Sequence, residues 1–191
     1  MRIKKEKKRK KIAWGITGTG DKLSETFEVM REIGEKYASK VDIRVYLSKA
    51  GEQVLRFYKL FDDLTNAFSR VKVEVNSNSP FLAGALQLGQ FDFLLIAPTT
   101  ANTVAKISLG IADTLLTNSS LMALKAFIPV YLMPCDYQEG IVVTKLPSGK
   151  SLKLRIRKED VKNVKRLEKI EGIFLLREPE EIKKLFKTYF G

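Results

Sequence analysis

Along this chain, short apolar runs alternate with stretches whose apolar positions recur every three or four residues. The first run, Lys11-Ile12-Ala13-Trp14-Gly15-Ile16-Thr17, reads as a buried strand ending at the turn Gly18-Thr19-Gly20. Leu23, Phe27, Met30, Ile33 and Tyr37 then mark one face of an amphipathic helix. Val41-Asp42-Ile43-Arg44-Val45-Tyr46-Leu47 alternates as a strand does and stops at Ser48-Lys49-Ala50-Gly51. One helix is expected over 52–67, carrying Val54, Leu55, Tyr58, Phe61 and Leu64, before a short strand over 71–75. A polar loop, 76–80, and a helical stretch over 81–89 follow. Phe91-Asp92-Phe93-Leu94-Leu95-Ile96-Ala97 is nearly all apolar, the pattern of a parallel strand covered on both faces. Helices over about 102–112 and 117–125 lead to a strand over 128–133. This alternation predicts an α/β fold, a doubly wound, Rossmann-like parallel sheet with helices on both faces.

The texture changes beyond Gly140. Ile141–Thr144 and Ser151–Ile156 flank Pro147-Ser148-Gly149-Lys150 and predict a β-hairpin. A charged helix over 158–170, a last strand over 172–176 and a final helix opened by Glu178-Pro179-Glu180-Glu181 complete the pattern. At 191 residues and 45% hydrophobic content the chain suits one domain, expected over 11–191, with a C-terminal extension from about 140. No apolar run is long enough to span a membrane, and no secretory signal is evident, so a cytoplasmic protein is expected.

Charge and composition narrow the chemistry. The formal net charge is +12, but residues 1–11 hold eight Lys/Arg against Glu6 alone, so the other 180 residues carry only +5. Residues 1–10 are expected to form a basic, disordered arm, and no aromatic residue interleaves its lysines, so a nucleic-acid platform is disfavoured. A single cysteine, Cys135, and no histidine leave almost nothing to ligate a metal, and no Ser-His or Cys-His pair. If the chain is an enzyme, an organic cofactor supplies the reactivity.

Ligands of open parallel sheets bind at the carboxyl ends of the strands, where helix N-termini aim free amides at anions. Three such loops here are small and hydroxyl-rich: Gly18-Thr19-Gly20, Ser48-Lys49-Ala50 and Thr99-Thr100-Ala101-Asn102-Thr103. Any one of them alone reads more readily as an ordinary turn or helix cap. A dinucleotide fingerprint fails because Leu23 stands where its third glycine is needed, and Ser48 where a ribose-binding acid is expected. Gly149-Lys150-Ser151 resembles the end of a phosphate-binding loop, but Thr144 occupies the first glycine position and the segment joins two strands.

Gly15-Ile16-Thr17-Gly18-Thr19-Gly20, Ser48-Lys49-Ala50, Ala97-Pro98-Thr99-Thr100-Ala101-Asn102-Thr103 and Gly110-Ile111-Ala112-Asp113 together resemble the flavoprotein superfamily. That superfamily includes peptidyl-cysteine and phosphopantothenoylcysteine decarboxylases and flavin prenyltransferases. Ala13–Lys22 and Asn76–Leu82 resemble its archaeal branch, the archaeoflavoproteins and the acceptor-type dihydromethanopterin reductases. The resemblance implies FMN as cofactor. It implies that Gly18, Thr19 and Gly20 line the phosphate and ribityl chain, that Ser48 bonds the phosphate beside Ala50, and that Thr99, Thr100, Ala101 and Asn102 cradle the phosphate-to-ring region. It also implies a homotrimer or a larger assembly of trimers.

The departures from that pattern matter equally. The decarboxylases place a catalytic His after the third strand, where this chain has Asn76-Ser77-Asn78, and their Pro-Ala-Met-Asn clamp is replaced by Met133-Pro134-Cys135-Asp136. The prenyltransferase Arg near that position is also missing. The expected activity is therefore an FMN oxidoreductase taking electrons from a reduced carrier such as ferredoxin and passing them to a small-molecule acceptor, a pterin such as dihydromethanopterin. Asn78, Cys135 and Asp136 lie on loops that could border the ring, and Lys106 on the helix after the cradle; each also reads as an ordinary cap, buried thiol, turn former or surface lysine. A decarboxylase-like enzyme and a basic nucleic-acid-binding module are the alternatives.

Overall fold

The computed structural model describes residues 9–191, so the basic arm expected over 1–10 lies almost wholly outside the described residues. In chain order the elements are β1 (Lys10–Ile16), α1 (Leu23–Lys36), β2 (Val41–Leu47), α2 (Lys49–Phe57), α3 (Phe61–Ala67), β3 (Val71–Val73), α4 (Ala83–Gln87) and β4 (Phe93–Thr99). They continue with α5 (Ala101–Ser108), α6 (Leu115–Lys125), β5 (Val130–Pro134), β6 (Gly140–Lys145), β7 (Ser151–Ile156), α7 (Lys158–Leu167), β8 (Ile173–Leu175) and α8 (Pro179–Phe190). Six strands form one sheet in the order β3-β2-β1-β4-β5-β8, every pair parallel, and β6 with β7 form a separate antiparallel ribbon.

The apolar runs become the central strands because both faces are covered. All seven residues of β4 are buried. Successive side chains of β1 point to opposite faces. Ile12, Trp14 and Ile16 join Phe27, Met30 and Ile33 of α1 and Phe186 of α8 in one core, whereas Ala13 joins Leu94, Ile96, Ile107 and Leu116 in the other. Trp14, fully buried, packs edge-on against Phe68 and donates its indole N–H to the Ala97 carbonyl at 2.8 Å. That bond ties β1 to the end of β4, the strand that leads into the hydroxyl-rich loop.

Two expectations change. The single helix over 52–67 is two helices, because Lys59 adopts a left-handed φ of 59°. There the Lys59 amide donates to the Arg56 carbonyl at 3.0 Å and the Leu60 amide to Leu55 at 2.9 Å, closing α2 with paired terminal bonds before α3 restarts at Phe61. The segment after 140 is also less peripheral than an extension suggests. β8 pairs with β5, and Ile182, Leu185, Phe186 and Phe190 of α8 enter the core under the sheet. Among the described residues only the β6–β7 ribbon stands apart from the main sheet. Among the described residues no helix is long and apolar enough to cross a membrane.

Candidate functional site

The sheet order reverses between β1 and β4: from β1 the chain runs outward to β2 and β3, then returns to β4. The crevice above the carboxyl ends of such a pair is where open α/β sheets receive ligands. The loops after these two strands are laced together there. Thr17, buried at the end of β1, donates its hydroxyl to the Pro98 carbonyl at 2.8 Å and accepts the Thr100 amide at 2.9 Å. Ser48 after β2 is drawn in by its amide, which donates to the Ile16 carbonyl at 3.0 Å.

A cleft of about 280 Å³ opens at this crevice, lined by Gly18, Thr19, Gly20 and Asp21, by Thr100 and Ala101, by Cys135 and Asp136, by Tyr58, and by Val142, Thr144, Leu152 and Leu154 of the ribbon. A roomier groove of about 670 Å³ lies between α1 and α3. Its rim is Glu28, Arg31, Glu35 and Asp63, away from the strand ends, and it holds none of the candidate site residues read from the sequence.

Of the nine predicted cradle residues, five line the cleft: Gly18, Thr19, Gly20, Thr100 and Ala101. The other four support it or stand beside it. Thr99 is fully buried and donates its hydroxyl back to the Ile96 carbonyl at 2.6 Å. Ser48 caps α2, its hydroxyl accepting the Gly51 amide at 2.9 Å. Ala50 packs under the first loop, so that a Cβ on Gly18 would sit 2.5 Å from the Ala50 Cβ. Asn102 is exposed in the first turn of α5. Thr100 caps that helix. The amides of Ala101 and Asn102, like the first amides of any helix, have no intrahelical acceptor and form a positive end at the cleft.

Gly20 also fills a steric need: a Cβ there would collide with the Tyr58 phenol. Asp21, Tyr58 and the ribbon are the lining residues that sequence reasoning missed as site residues. Tyr58 reads as one more apolar position of a helix, and only the break at Lys59 leaves it at a helix end, where its hydroxyl donates to the Lys145 carbonyl at 3.3 Å. Asn78 does not line the cleft; its carbonyl oxygen accepts from the Asn118 amide at 3.0 Å. Lys106 is paired with Asp113 at 2.8 Å.

The electrostatics of the cleft favour neutral groups. Burial pushes the Cys135 thiol up to about 12, against a smaller opposing effect of its contact with the Thr19 hydroxyl at 3.6 Å. Burial also raises Asp21, with Lys22 partly opposing it, and raises Asp136, with Asp160 and Asp21 adding to the effect. A thiol held protonated is a poor nucleophile and a poor partner for disulfide exchange. The arrangement offers hydroxyl and amide donors, an apolar wall and two carboxyls inclined to keep a proton. It offers no histidine base.

The family model for flavoproteins matches residues 1–186. The chain belongs to the flavoprotein family. This flavoprotein is 52% identical over 175 residues to an uncharacterized protein of Methanocaldococcus jannaschii, an alignment covering 92% of this chain and 93% of the relative. It is 31% identical to the dihydromethanopterin reductase (acceptor) of the same organism, with 92% of this chain and 95% of the relative covered. Among solved structures it is similar to Burkholderia xenovorans DmrB in complex with FMN, described as a cubic protein cage for redox transfer. The TM-score is 0.79 at 34% identity, covering 98% of this chain and 97% of that one.

Proposed function

We propose that this flavoprotein binds FMN in the cleft at the β1–β4 crevice and acts as an oxidoreductase, passing electrons from a reduced carrier such as ferredoxin to a pterin such as dihydromethanopterin. The observation that carries this reading is the composition of the cleft wall. Gly18, Gly20 and Ala101 supply close backbone donors and Thr19 a neutral hydroxyl, beside the positive end of α5, while Val142, Leu152 and Leu154 supply an apolar face. An anionic phosphate suits the helix end, and a planar ring suits the apolar wall. The FMN of DmrB and the reductase relative support the same reading.

Bound FMN would supply the redox chemistry, accepting and releasing electrons at its ring. The residues of this chain would do the rest. Thr19 orients, the ribbon excludes water from one side, and Asp21 and Asp136 set beside the site carboxyls whose pKa burial raises. The cage described for DmrB supports an assembly of trimers as part of this reading.

The test is a titration of the purified apoprotein with FMN, followed by anaerobic reduction and addition of dihydromethanopterin. Binding with reoxidation of the reduced protein by the pterin is the expected result. Absence of FMN binding would sink the reading at its root. Binding without pterin turnover would confine the failure to the acceptor. Evolution of carbon dioxide from a thiol-bearing carboxylate would favour the decarboxylase alternative instead.

A further inference from the structure

We propose that the outer face of the β6–β7 ribbon is the docking surface for a small acidic protein carrying a one-electron redox centre, and that electrons enter the cleft through this ribbon. The inference rests on the oxidoreductase reading above and adds the surface by which the donor is recognised.

The register of the ribbon separates two faces. Val142 pairs with Leu154 and Thr144 with Leu152, and these four residues line the cleft. The intervening pairs, Ile141 with Arg155, Val143 with Lys153 and Lys145 with Ser151, therefore face outward. Ile141 and Val143 are 72% and 54% exposed, a large apolar surface for a two-stranded ribbon to leave in water. Beside them on the same face lie Lys145, Lys153 and Arg155. Residues 141–170 contain ten Lys/Arg against three Asp/Glu, a net +7, whereas the stretches 12–140 and 171–191 together carry −2. Among the described residues only Arg157 of these ten has a carboxylate partner within the ion-pair distance, Asp160.

Two exposed apolar side chains flanked by three unpaired cations, Lys145, Lys153 and Arg155, at the wall of the cleft suit the small interface of a transient electron-transfer complex with an acidic partner. It does not suit a two-fold contact with a second copy. A two-fold contact through this face would bring Lys153 and Arg155 towards the same cations of the other copy. Electron balance sets the stoichiometry. Each docking oxidises the carrier by one electron, and two successive dockings supply the pair that FMN accepts, with protons drawn from water.

The experiment uses the full-length protein loaded with FMN, a small acidic iron–sulfur protein as donor, and the variant K153E/R155E. Both substituted side chains are exposed and point away from the cleft, so FMN affinity and photochemical reduction of the bound flavin serve as controls and should not change. The second-order rate constant for reduction by the donor should fall about tenfold or more at low salt. The wild-type rate should drop with added salt while that of the variant stays nearly flat. Titration of the oxidised donor should show the same loss of binding in the variant, whether or not FMN is bound. An unchanged rate or unchanged binding in the variant overturns the proposal. So does dissociation of an oligomer in the variant with donor kinetics intact, which would make the face a contact between copies. A wild-type flavin that is reduced by light but not by the donor overturns the docking proposal and leaves the FMN reading standing; failure to bind FMN removes that reading instead.

Discussion

At the scale of single residues, Cys135 shows how much the surroundings of a group decide its chemistry. A lone cysteine beside a proposed redox site invites a reactive thiol, but burial raises this one from the ordinary 9.0 to about 12. Alkylation at neutral pH should therefore be slow in the folded protein and fast after unfolding, and rapid labelling of the native state would contradict the assignment. The same shift links to stability. The contribution of the neutral thiol is fully present below pH 9.0 and is lost as pH rises towards about 12, because the unfolded chain ionises first. Asp136 behaves alike at lower pH. Its carboxyl is raised above the ordinary 3.8, chiefly by burial, so its contribution to stability is fully present below 3.8 and is lost as pH rises through the raised value. Asp136→Asn should flatten that decline, measured as Tm against pH. Gly20→Ala presses on Tyr58 directly and should weaken FMN binding at least tenfold, with the fold retained by circular dichroism.

At the scale of elements, much of the fold is legible because periodicity and burial agree. β2 spans the alternating run 41–47, and α1 buries Leu23, Phe27, Met30 and Ile33, the positions its spacing marks. The division between α2 and α3 escapes such reading because Tyr58-Lys59-Leu60 contains neither glycine nor proline, and the left-handed turn is imposed by packing of Leu60 and Phe61 against the core. The glycine and threonine loops of the cleft are legible from their position after buried strands. The inner face of the ribbon is not, since Val142, Thr144, Leu152 and Leu154 alternate as in any half-covered hairpin. α6 ends in a related way. The Phe127 amide donates to Leu124 at 3.1 Å and the Ile128 amide to Ala123 at 2.9 Å, with Phe127 at φ 57° and 94% exposed. A side chain in this left-handed position costs about 1–2 kcal/mol that glycine avoids. Phe127→Gly should therefore raise stability by about 1 kcal/mol in denaturant unfolding; a loss of stability would mean that the ring is engaged elsewhere.

At the scale of the whole molecule, the two sides of the sheet have different tasks. One is sealed by α1 and α8, while the other carries α4, α5, α6 and α7 with apolar side chains left outside the core. Phe81 and Leu88, just before and just after α4, are 67% and 68% exposed. These side chains are the ones an assembly of copies would cover. Sedimentation velocity should find an oligomer, and Leu88→Lys should shift it towards smaller species without loss of helical signal. A monomer in both proteins would contradict this. The ribbon has a different consequence, one of distance. It is a single layer, and packed sheet layers are spaced about 10 Å apart. A ring held beneath it and a partner docked above it would face each other across that one layer, and residues 140–156 contain no aromatic side chain to act as a relay between them.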